Sequence, residues 1–219
     1  MIVRPNPRRR QLLIGGLCLP LSALADDLCR PTATQVEGPF YPRDWSGEHE
    51  FDLSQLAGHT ARAEGELIIV QGQILDRQCA PVAGAVVDLW QANAKGRYAH
   101  PRDRNPAPLD PDFQGAGRVI SDAEGRYRFI TIKPAPYALE YIEGNPSDAG
   151  YRPAHLHFKV SKTGLSVLTT QMYFEGDPHQ DSDPVLGRLR DKERDALIIA
   201  AKSSGDSPQF DFNMHLQSA

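Results

Sequence analysis

Residues 154–161, with the sequence AHLHFKVS, predict a β-strand with two chemically different faces. Side chains alternate along an extended strand, so His155 and His157 share one face. Ala154, Leu156 and Phe158 share the other face, and their apolar character predicts that this face is buried. Two imidazoles on one rigid strand can hold a metal, or they can be surface or hydrogen-bonded histidines. The His-x-His pattern alone leaves both interpretations open.

Other short stretches of the sequence share this β-branched and aromatic character. Turn-forming sequences such as SDAEG and EGNPSDAG separate them, and no repeat or low-complexity linker divides the series. The predicted strands are ELIIVQGQIL (66–75), GAVVDLWQA (84–92), GRYRFITI (125–132), AHLHFKVS (154–161), SVLTTQMYF (166–174) and QFDFNMHL (209–216). This pattern is typical of an all-β fold, a single-domain β-sandwich with long irregular loops and little helix. One turn starting at Asp183-Pro184 and a helix within 190–201 are the predicted helical pieces.

The composition bounds the class of protein. The chain has 219 residues, of which 40% are hydrophobic and 24% charged, which is ordinary for a globular protein. Its formal net charge of −4, with no run of Lys or Arg beyond the first ten residues, argues against nucleic-acid binding. Trp90 and Phe129, each on a predicted strand, are predicted core residues. The modest net charge does not point to a class of partner, so the function depends on which side chains the fold brings together at a site.

The first 25 residues predict a cleaved export signal. Three arginines (8–10) precede an apolar run from Leu12 to Leu24, and this run ends in the Ala-x-Ala sequence at 23–25. The run is short for a bilayer span, so we expect no stable membrane insertion after cleavage. The Arg9-Arg10 pair resembles a twin-arginine signal, and an ordinary secretory signal is the alternative. We expect an exported, periplasmic protein.

After the signal, the sequence predicts an irregular N-terminal arm, residues 26–65, and then the sandwich domain, residues 66–219. Prolines and glycines follow one another closely in the arm, and no periodicity is sustained there. Cys18 leaves with the signal, so Cys29 and Cys79 remain as one pair in an oxidising compartment. Whether they form a disulfide depends on their separation in the fold.

A long connection, residues 93–118, interrupts the strand pattern and carries Tyr98. Long structured loops in compact β domains are usually functional. A phenol has a pKa of about 10, and a strongly Lewis-acidic ion such as Fe(III) can displace its proton, whereas Zn(II) prefers imidazole, thiolate or carboxylate. No Glu closely follows His157, so the usual cupin pattern is not met, and the sequence has no spaced cysteines for a structural zinc.

Separated blocks of the sequence resemble the intradiol ring-cleavage dioxygenases, and among these the protocatechuate-like branch. The blocks occur in the family's order over residues 37–178, and they are WQANAKGRYAH, LDPDFQGAGR, TIKPAPY, RPAHLHFKVS and TTQMYFEGDP. The resemblance implies a β-sandwich core, in agreement with the strand pattern. It also implies one ferric ion, Fe(3+), whose ligands fall on Tyr98, Tyr137, His155 and His157.

The resemblance further implies roles for the side chains near the metal. Tyr137 would leave the metal and take a proton from a catechol-type diol, Arg152 would stabilise negative charge on the ring, and Gln171 would hold Arg152 or the substrate oxygens. The implied reaction inserts both atoms of O2 between the two hydroxylated carbons and gives a cis,cis-muconate-type dicarboxylate. The expected partners are the diol and O2, with a homo-oligomer or a homologous partner subunit both left open. Selectivity is expected from the sequence EGPFYP in the arm and from residues 137–151.

The sequence departs from the family's pattern around Tyr137. Ala135 stands where the family usually has glycine, and residues 137–151 lack the tryptophan that the protocatechuate enzymes carry soon after this tyrosine. Tyr141 and Tyr151 therefore remain alternative candidates for the same role. His100 is predicted to be a loop histidine and not a further ligand.

Two other classes of protein compete with the dioxygenase interpretation. Residues 72–90 followed by residues 121–132 resemble transthyretin-like and carboxypeptidase-regulatory-like domains, which are non-enzymatic β-sandwich binding modules. Residues 72–132 fit a binding module and a dioxygenase equally well. The pair His155 and His157, together with the two tyrosines, favours the dioxygenase. A zinc or cupin-like hydrolase is disfavoured because the expected Glu is missing.

Overall fold

The computed structural model describes residues 30–45 and 50–219. The predicted export signal, residues 1–25, and Cys29 lie outside the described residues. Cys79 is disulfide-bonded. Within the described ranges, no helix has both the length and the apolar composition needed to cross a membrane.

The described part of the chain is built almost entirely from short strands. Its helical pieces are two 3-10 turns, Gln180–Ser182 and Leu186–Arg188, and one turn of α-helix, α1 (Asp191–Asp195). The strands are β1 (Leu67–Leu75), β2 (Val86–Trp90), β3 (Ala116–Ile120), β4 (Arg126–Ile132), β5 (Tyr137–Ala138), β6 (Tyr141–Ile142), β7 (Asn145–Pro146), β8 (Tyr151–Arg152), β9 (His155–Ser161), β10 (Leu168–Phe174), β11 (Ile198–Ile199), β12 (Lys202–Ser204), β13 (Ser207–Asp211) and β14 (Met214–His215). The predicted all-β class is confirmed.

Two five-stranded sheets form the sandwich. In the first sheet β1 pairs with β4 on one side, with β13 and β14 on the other, and β12 extends β13. The second sheet has the order β11-β10-β9-β2-β3, and β10, β9, β2 and β3 pair antiparallel. The two-stranded pairs β5–β8 and β6–β7 lie outside both sheets and belong to the segment between β4 and β9.

The core lies between the two sheets. Phe158 of the second sheet packs against Phe212, which lies between β13 and β14, at a ring-centroid distance of 5.5 Å. Phe174 of the second sheet meets Phe210 edge-on at 4.9 Å. Phe129 is fully buried in the same cluster, as predicted. Aromatic side chains with this much buried area supply much of the free energy that holds the sheets together.

Strand β9 is buried on both faces. Leu156 and Phe158 point into the core, whereas His155 and His157 point to the outer face of the second sheet, away from the core. A second aromatic cluster, formed by Trp90, Ala92 and Tyr98, covers that outer face. The pairing register of β9 with its neighbouring strands is therefore specific, because a slip of one residue would place the histidines in the core and the core residues on the outer face.

Three predicted boundaries are wrong. The predicted loop 93–118 overlaps β3, which pairs with β2 from Ala116 onward. Within the predicted helix 190–201, only Asp191–Asp195 is helical, and Ile198–Ile199 instead pairs parallel with the end of β10. In each case pairing with a distant strand outweighs local propensity.

The predicted strand 209–216 is also divided, into β13 and β14. The break lies at Phe212, whose backbone N–H donates to the Gln71 carbonyl at 2.7 Å as the chain runs beside β1. Gly72 permits this close approach of the two backbones, because a Cβ there would lie 2.1 Å from the Phe212 carbonyl oxygen. One chain segment thereby pairs with two successive parts of β1.

Replacing Phe129 by Ala should lower the free energy of unfolding by about 3–5 kcal/mol, because it leaves a cavity in a fully buried site. Chemical denaturation followed by circular dichroism measures the change. Ile120→Ala is the matched control, since Ile120 is 68% exposed and should cost under about 1 kcal/mol. Equal losses in the two variants would contradict this placement of the core.

Candidate metal centre

The floor of the candidate site is the outer face of β9. The side chains of His155 and His157 are 2% and 3% exposed, so neither is a surface histidine. The indole of Trp90, on the neighbouring strand β2, stacks on the His157 ring with a centroid distance of 4.8 Å and an interplanar angle of 13°. Trp90 is buried as predicted, but it supports the site and is not part of the sandwich core.

Two tyrosines approach this floor from different segments. Tyr98 lies in the long loop after β2, where its backbone N–H donates to the Asp103 carboxylate at 2.6 Å. Tyr137 begins β5, which pairs with β8 just before the histidine strand. Each phenol oxygen lies 3.4 Å from His155 Nε2. The structure thus brings together side chains from three separated parts of the sequence.

The four donor atoms are spaced as ligands of one ion. The Nε2 atoms of His155 and His157 are 3.2 Å apart, and each phenol oxygen lies 3.4 Å from His155 Nε2. Donors that share a first-row metal ion at about 2.0–2.1 Å are separated by distances of this size. His155 Nδ1 lies 2.7 Å from the Pro153 carbonyl oxygen, which can only accept. The proton therefore sits on Nδ1, and the Nε2 lone pair is directed toward the other donors.

The donor set is unusual because half of it is phenol. In residues 30–45 and 50–219, no three His, Cys, Asp or Glu side chains are grouped so that they could hold a metal. His157 Nδ1 is buried and has no hydrogen-bond partner in the described chain. A metal at this place would therefore depend on the oxygens of Tyr98 and Tyr137.

Burial keeps the four donors neutral while no cation is bound. It raises the pKa of the Tyr98 phenol well above its usual value, and the neighbouring Tyr137 adds to this increase. It also raises the pKa of Tyr137, although the cation of Arg152 acts in the opposite direction. Burial, followed by the charge of Arg152, lowers the pKa of both histidines well below the ordinary value. A cation that binds here must displace the phenol protons, and it would then stabilise the phenolates.

The other sequence candidates lie elsewhere. The Tyr141 hydroxyl accepts the backbone N–H of Ala138 at 3.2 Å. Tyr151 stacks on His179 with a centroid distance of 5.1 Å. His100 packs against the Phe40 ring at 5.7 Å. Of the three tyrosines left open by the sequence, Tyr137 is the one that the structure brings to the histidine pair.

Arg152 and Gln171 lie together beside the donors. The Arg152 guanidinium donates to the Gln171 side-chain oxygen at 2.7 Å, and both side chains are buried. The sequence prediction missed a further partner, Asp183, whose carboxylate lies 2.8 Å from Arg152 Nε. Asp183 also accepts the backbone N–H groups of Val185 and Leu186, so it caps a turn as predicted. The ion pair of Asp183 with Arg152 has no local sequence signal, because the two residues lie far apart in the chain.

The arm forms the outer wall of the site. Phe40 stacks on Tyr98 with a centroid distance of 4.5 Å, and Tyr41 meets Trp90 edge-on at 4.9 Å. Gly38, with φ +75°, lies so close to the donors that a Cβ there would be 3.6 Å from His157 Cε1. The sequence GPFYP therefore contacts both a phenol and an imidazole of the donor set.

A cleft of about 440 Å³ opens beside Tyr137. Its lining combines apolar groups with charged ones, and it comprises Pro39, Phe40, Arg102, Asp103, Arg104, Tyr137, Ala138, Leu139, Glu140, Tyr141 and Arg152. A larger cleft of about 730 Å³ lies on the outer surface of β1 and β4, but none of the four donors lines it. We therefore take the smaller cleft as the route to the donors.

Comparisons with known proteins agree on the family to which this chain belongs. A family profile described as Dioxygenase matches residues 36–218. The protocatechuate 3,4-dioxygenase beta chain of Burkholderia cepacia is 45% identical over 161 residues, which cover 73% of this chain and 66% of that protein. A hydroxyquinol 1,2-dioxygenase of Rhizobium sp. (strain MTP-10005) is 35% identical over 199 residues, covering 83% of this chain and 62% of that protein. The chain thus spans slightly less than two thirds of the length of these relatives.

Solved structures give the same result for the fold. The catechol 1,2-dioxygenase from Pseudomonas arvilla C-1 is 29% identical with a TM-score of 0.66, covering 86% of this chain and 63% of that chain. The 3-chlorocatechol 1,2-dioxygenase from Rhodococcus opacus 1CP is 26% identical with a TM-score of 0.68, covering 90% of this chain and 77% of that chain.

The burial of Tyr98 predicts a loss of stability at alkaline pH in the metal-free protein. Its pKa is raised in the folded state, so the stability it contributes is complete below the unfolded value of about 10 and is lost as pH rises above it. Above that pH, the unfolding free energy of the unaltered protein should fall more steeply than that of Tyr98→Phe, by up to about 1.4 kcal/mol per pH unit. Urea unfolding measured at several pH values tests this. Below pH 9 the difference between the two proteins should be constant, and parallel curves throughout would contradict the prediction.

Proposed function

Since the chain belongs to the family of intradiol ring-cleavage dioxygenases, we propose that it cleaves a catechol-type ring between its two hydroxylated carbons. The reaction inserts both atoms of O2 there and gives a cis,cis-muconate-type dicarboxylate. One observation carries the proposal: two phenol oxygens and an imidazole nitrogen lie within 3.4 Å of His155 Nε2. A plain β-sandwich binding module has no need for such a cluster.

The metal proposed for this site is Fe(III), with Tyr98, Tyr137, His155 and His157 as its ligands. The chemistry of the donors supports iron, because two phenols favour a strongly Lewis-acidic ion over Zn(II). When bound, a ferric ion supplies Lewis acidity that holds the diol oxygens and makes the ring reactive toward O2. Trp90 and Phe40 keep the donors in place and shield them from water.

The two tyrosines have different access to substrate, which supports different roles for them. Tyr98 is 3% exposed and lies under Phe40, whereas Tyr137 lines the cleft. Tyr137 is therefore the phenol that an incoming diol can replace. Its oxygen, as phenolate, takes a proton from a diol hydroxyl, which is general-base work by a side chain already in position.

Arg152 supplies positive charge next to the reacting ring. It lines the cleft, and Gln171 accepts one of its N–H groups at 2.7 Å. A fixed guanidinium in a buried site stabilises negative charge that develops on the ring carbons without needing to reorient. Gln171 holds that guanidinium in place.

The cleft favours a ring diol that carries a carboxylate, as protocatechuate does. Arg102 and Arg104 line the same cleft as Tyr137, and neither guanidinium has an ion-pair or side-chain hydrogen-bond partner in the part of the chain that the structure describes. Phe40 and Leu139, which line the same cleft, supply apolar surface for the ring. A substrate carboxylate would give the two arginines the anionic partner that the protein does not provide.

Replacing His155 by Ala should abolish iron binding and the visible phenolate-to-iron absorption together, because the other donors converge on His155 Nε2. Metal analysis and the absorption spectrum of the purified protein measure both. His59→Ala is the matched control, since His59 is a surface residue paired with Asp112 and should leave iron content unchanged. A colourless His155→Ala protein with full O2 uptake would overturn the proposed site.

Replacing both Arg102 and Arg104 by Gln should raise KM for 3,4-dihydroxybenzoate about tenfold, since one charge-assisted contact contributes about 1.5–3 kcal/mol. KM for unsubstituted catechol should change less than about twofold, because catechol has no carboxylate. O2 uptake with the two substrates gives both values. Arg190→Gln removes an exposed arginine paired with Glu193 and serves as the control. An equal rise in KM for both substrates would refute the carboxylate subsite.

A further inference from the structure

A buried ion pair lies directly behind the candidate site. Arg152 Nε is 2.8 Å from Asp183 Oδ1, and the two side chains are 7% and 0% exposed. A buried guanidinium without a counter-charge is strongly unfavourable, because it loses its hydration and gains nothing in return. The buried Arg152 guanidinium therefore depends on the Asp183 carboxylate for its counter-charge.

Three side chains hold the Arg152 guanidinium. Gln171 accepts from Nη2 at 2.7 Å, the Tyr173 hydroxyl lies 3.2 Å from the same atom, and Asp183 faces Nε. Tyr173 in turn donates to Gln35 of the arm at 2.9 Å. Gln171 and Tyr173 are uncharged partners, so Asp183 is the one of the three that supplies negative charge.

Asp183 is itself held rigidly. Its carboxylate oxygens accept the backbone N–H groups of Val185 at 3.2 Å and Leu186 at 3.3 Å. Leu186 is fully buried in the core, so the turn that carries Asp183 is anchored to the sandwich. An anchored carboxylate gives the guanidinium that faces it a counter-charge at a fixed position.

The guanidinium is also connected to the donor cluster through the backbone. Arg152 is the direct antiparallel partner of Tyr137 in the β5–β8 pair. Residues 152, 155 and 157 lie on one short stretch of chain. A shift of Arg152 would therefore change the position of its positive charge relative to the histidine donors.

We propose that Asp183 is a positioning residue for the reaction: it orients the Arg152 guanidinium toward the ring and compensates its charge until negative charge develops there. This inference rests on the proposed function. In the described chain no hydrogen bond joins Asp183 to any of the four donors, so we expect metal to bind in its absence. Its effect therefore falls on kcat and not on the binding of the diol oxygens.

Asp183→Asn removes the charge that faces Arg152 while keeping an oxygen that can accept a backbone N–H group of the turn. In the iron-loaded protein, kcat should fall roughly tenfold to a hundredfold, with iron content and visible colour unchanged and KM altered less than about threefold. Asp181→Asn is the matched control: it makes the same chemical change two residues earlier, at a side chain that is 93% exposed. It should leave kcat unchanged.

A double-variant comparison tests whether Asp183 acts through Arg152. If it does, adding Asp183→Asn to Arg152→Gln should lower kcat no further than Arg152→Gln alone. Multiplicative losses, or an Asp183→Asn protein with unaltered kcat, would overturn the proposal.

A second measurement does not depend on the reaction. In nitrogen-15 NMR spectra of the full chain, the Arg152 Nη2 protons, which donate to Gln171 and Tyr173, should exchange slowly in the unaltered protein and in Asp181→Asn, and at least about tenfold faster in Asp183→Asn, where the guanidinium is no longer held by the carboxylate. Equal exchange in all three proteins would refute the positioning role. If the iron-loaded protein takes up no O2 with any diol, the proposed function fails, while this exchange measurement still decides whether Asp183 holds Arg152.

Discussion

The alternation of side chains along β9 is the constraint on which the rest of the structure depends. Leu156 and Phe158 point inward and join the two sheets, while His155 and His157 point outward and form the floor of the site. The pairing register cannot shift by one residue without placing imidazoles in the core and apolar groups among the donors. Stability and site geometry are therefore specified by the same strand, and the free energy of core burial keeps the imidazoles in position.

The four donor side chains of the candidate site are preorganised and uncharged. Burial favours neutral phenols and neutral imidazoles, so the folded chain gathers four donors at close range without accumulating charge. Behind them, Asp183 balances the charge of Arg152. Such an arrangement stores little electrostatic strain, and the proposed ligands would need to lose only their phenol protons to bind a metal ion. Family membership identifies the chain as a dioxygenase, and this geometry supports the ligand set proposed for it.

Local patterns predicted most of the two sheets, because buried strands need alternating or continuous apolar residues. They failed where the pairing partner is distant. Ala116–Ile120 contains one glycine and follows another, yet it pairs along the whole of β2. Ile198–Ile199 follows a helical turn with good helix formers but continues as a strand beside the end of β10. Neither outcome is encoded in the segment itself, since the hydrogen bonds that decide it come from residues far away in the chain.

The sequence by itself determined the all-β class, the two faces of the histidine strand and the candidate donors Tyr98, His155 and His157. Only the tertiary structure decided that Tyr137, and not Tyr141 or Tyr151, reaches the histidines, and that Asp183 faces Arg152. The physical reason is range. Periodicity and residue chemistry act within a few residues, so a sequence displays them directly. An ion pair or a shared donor position depends on distances between segments, and those distances exist only after the core has brought the two sheets together.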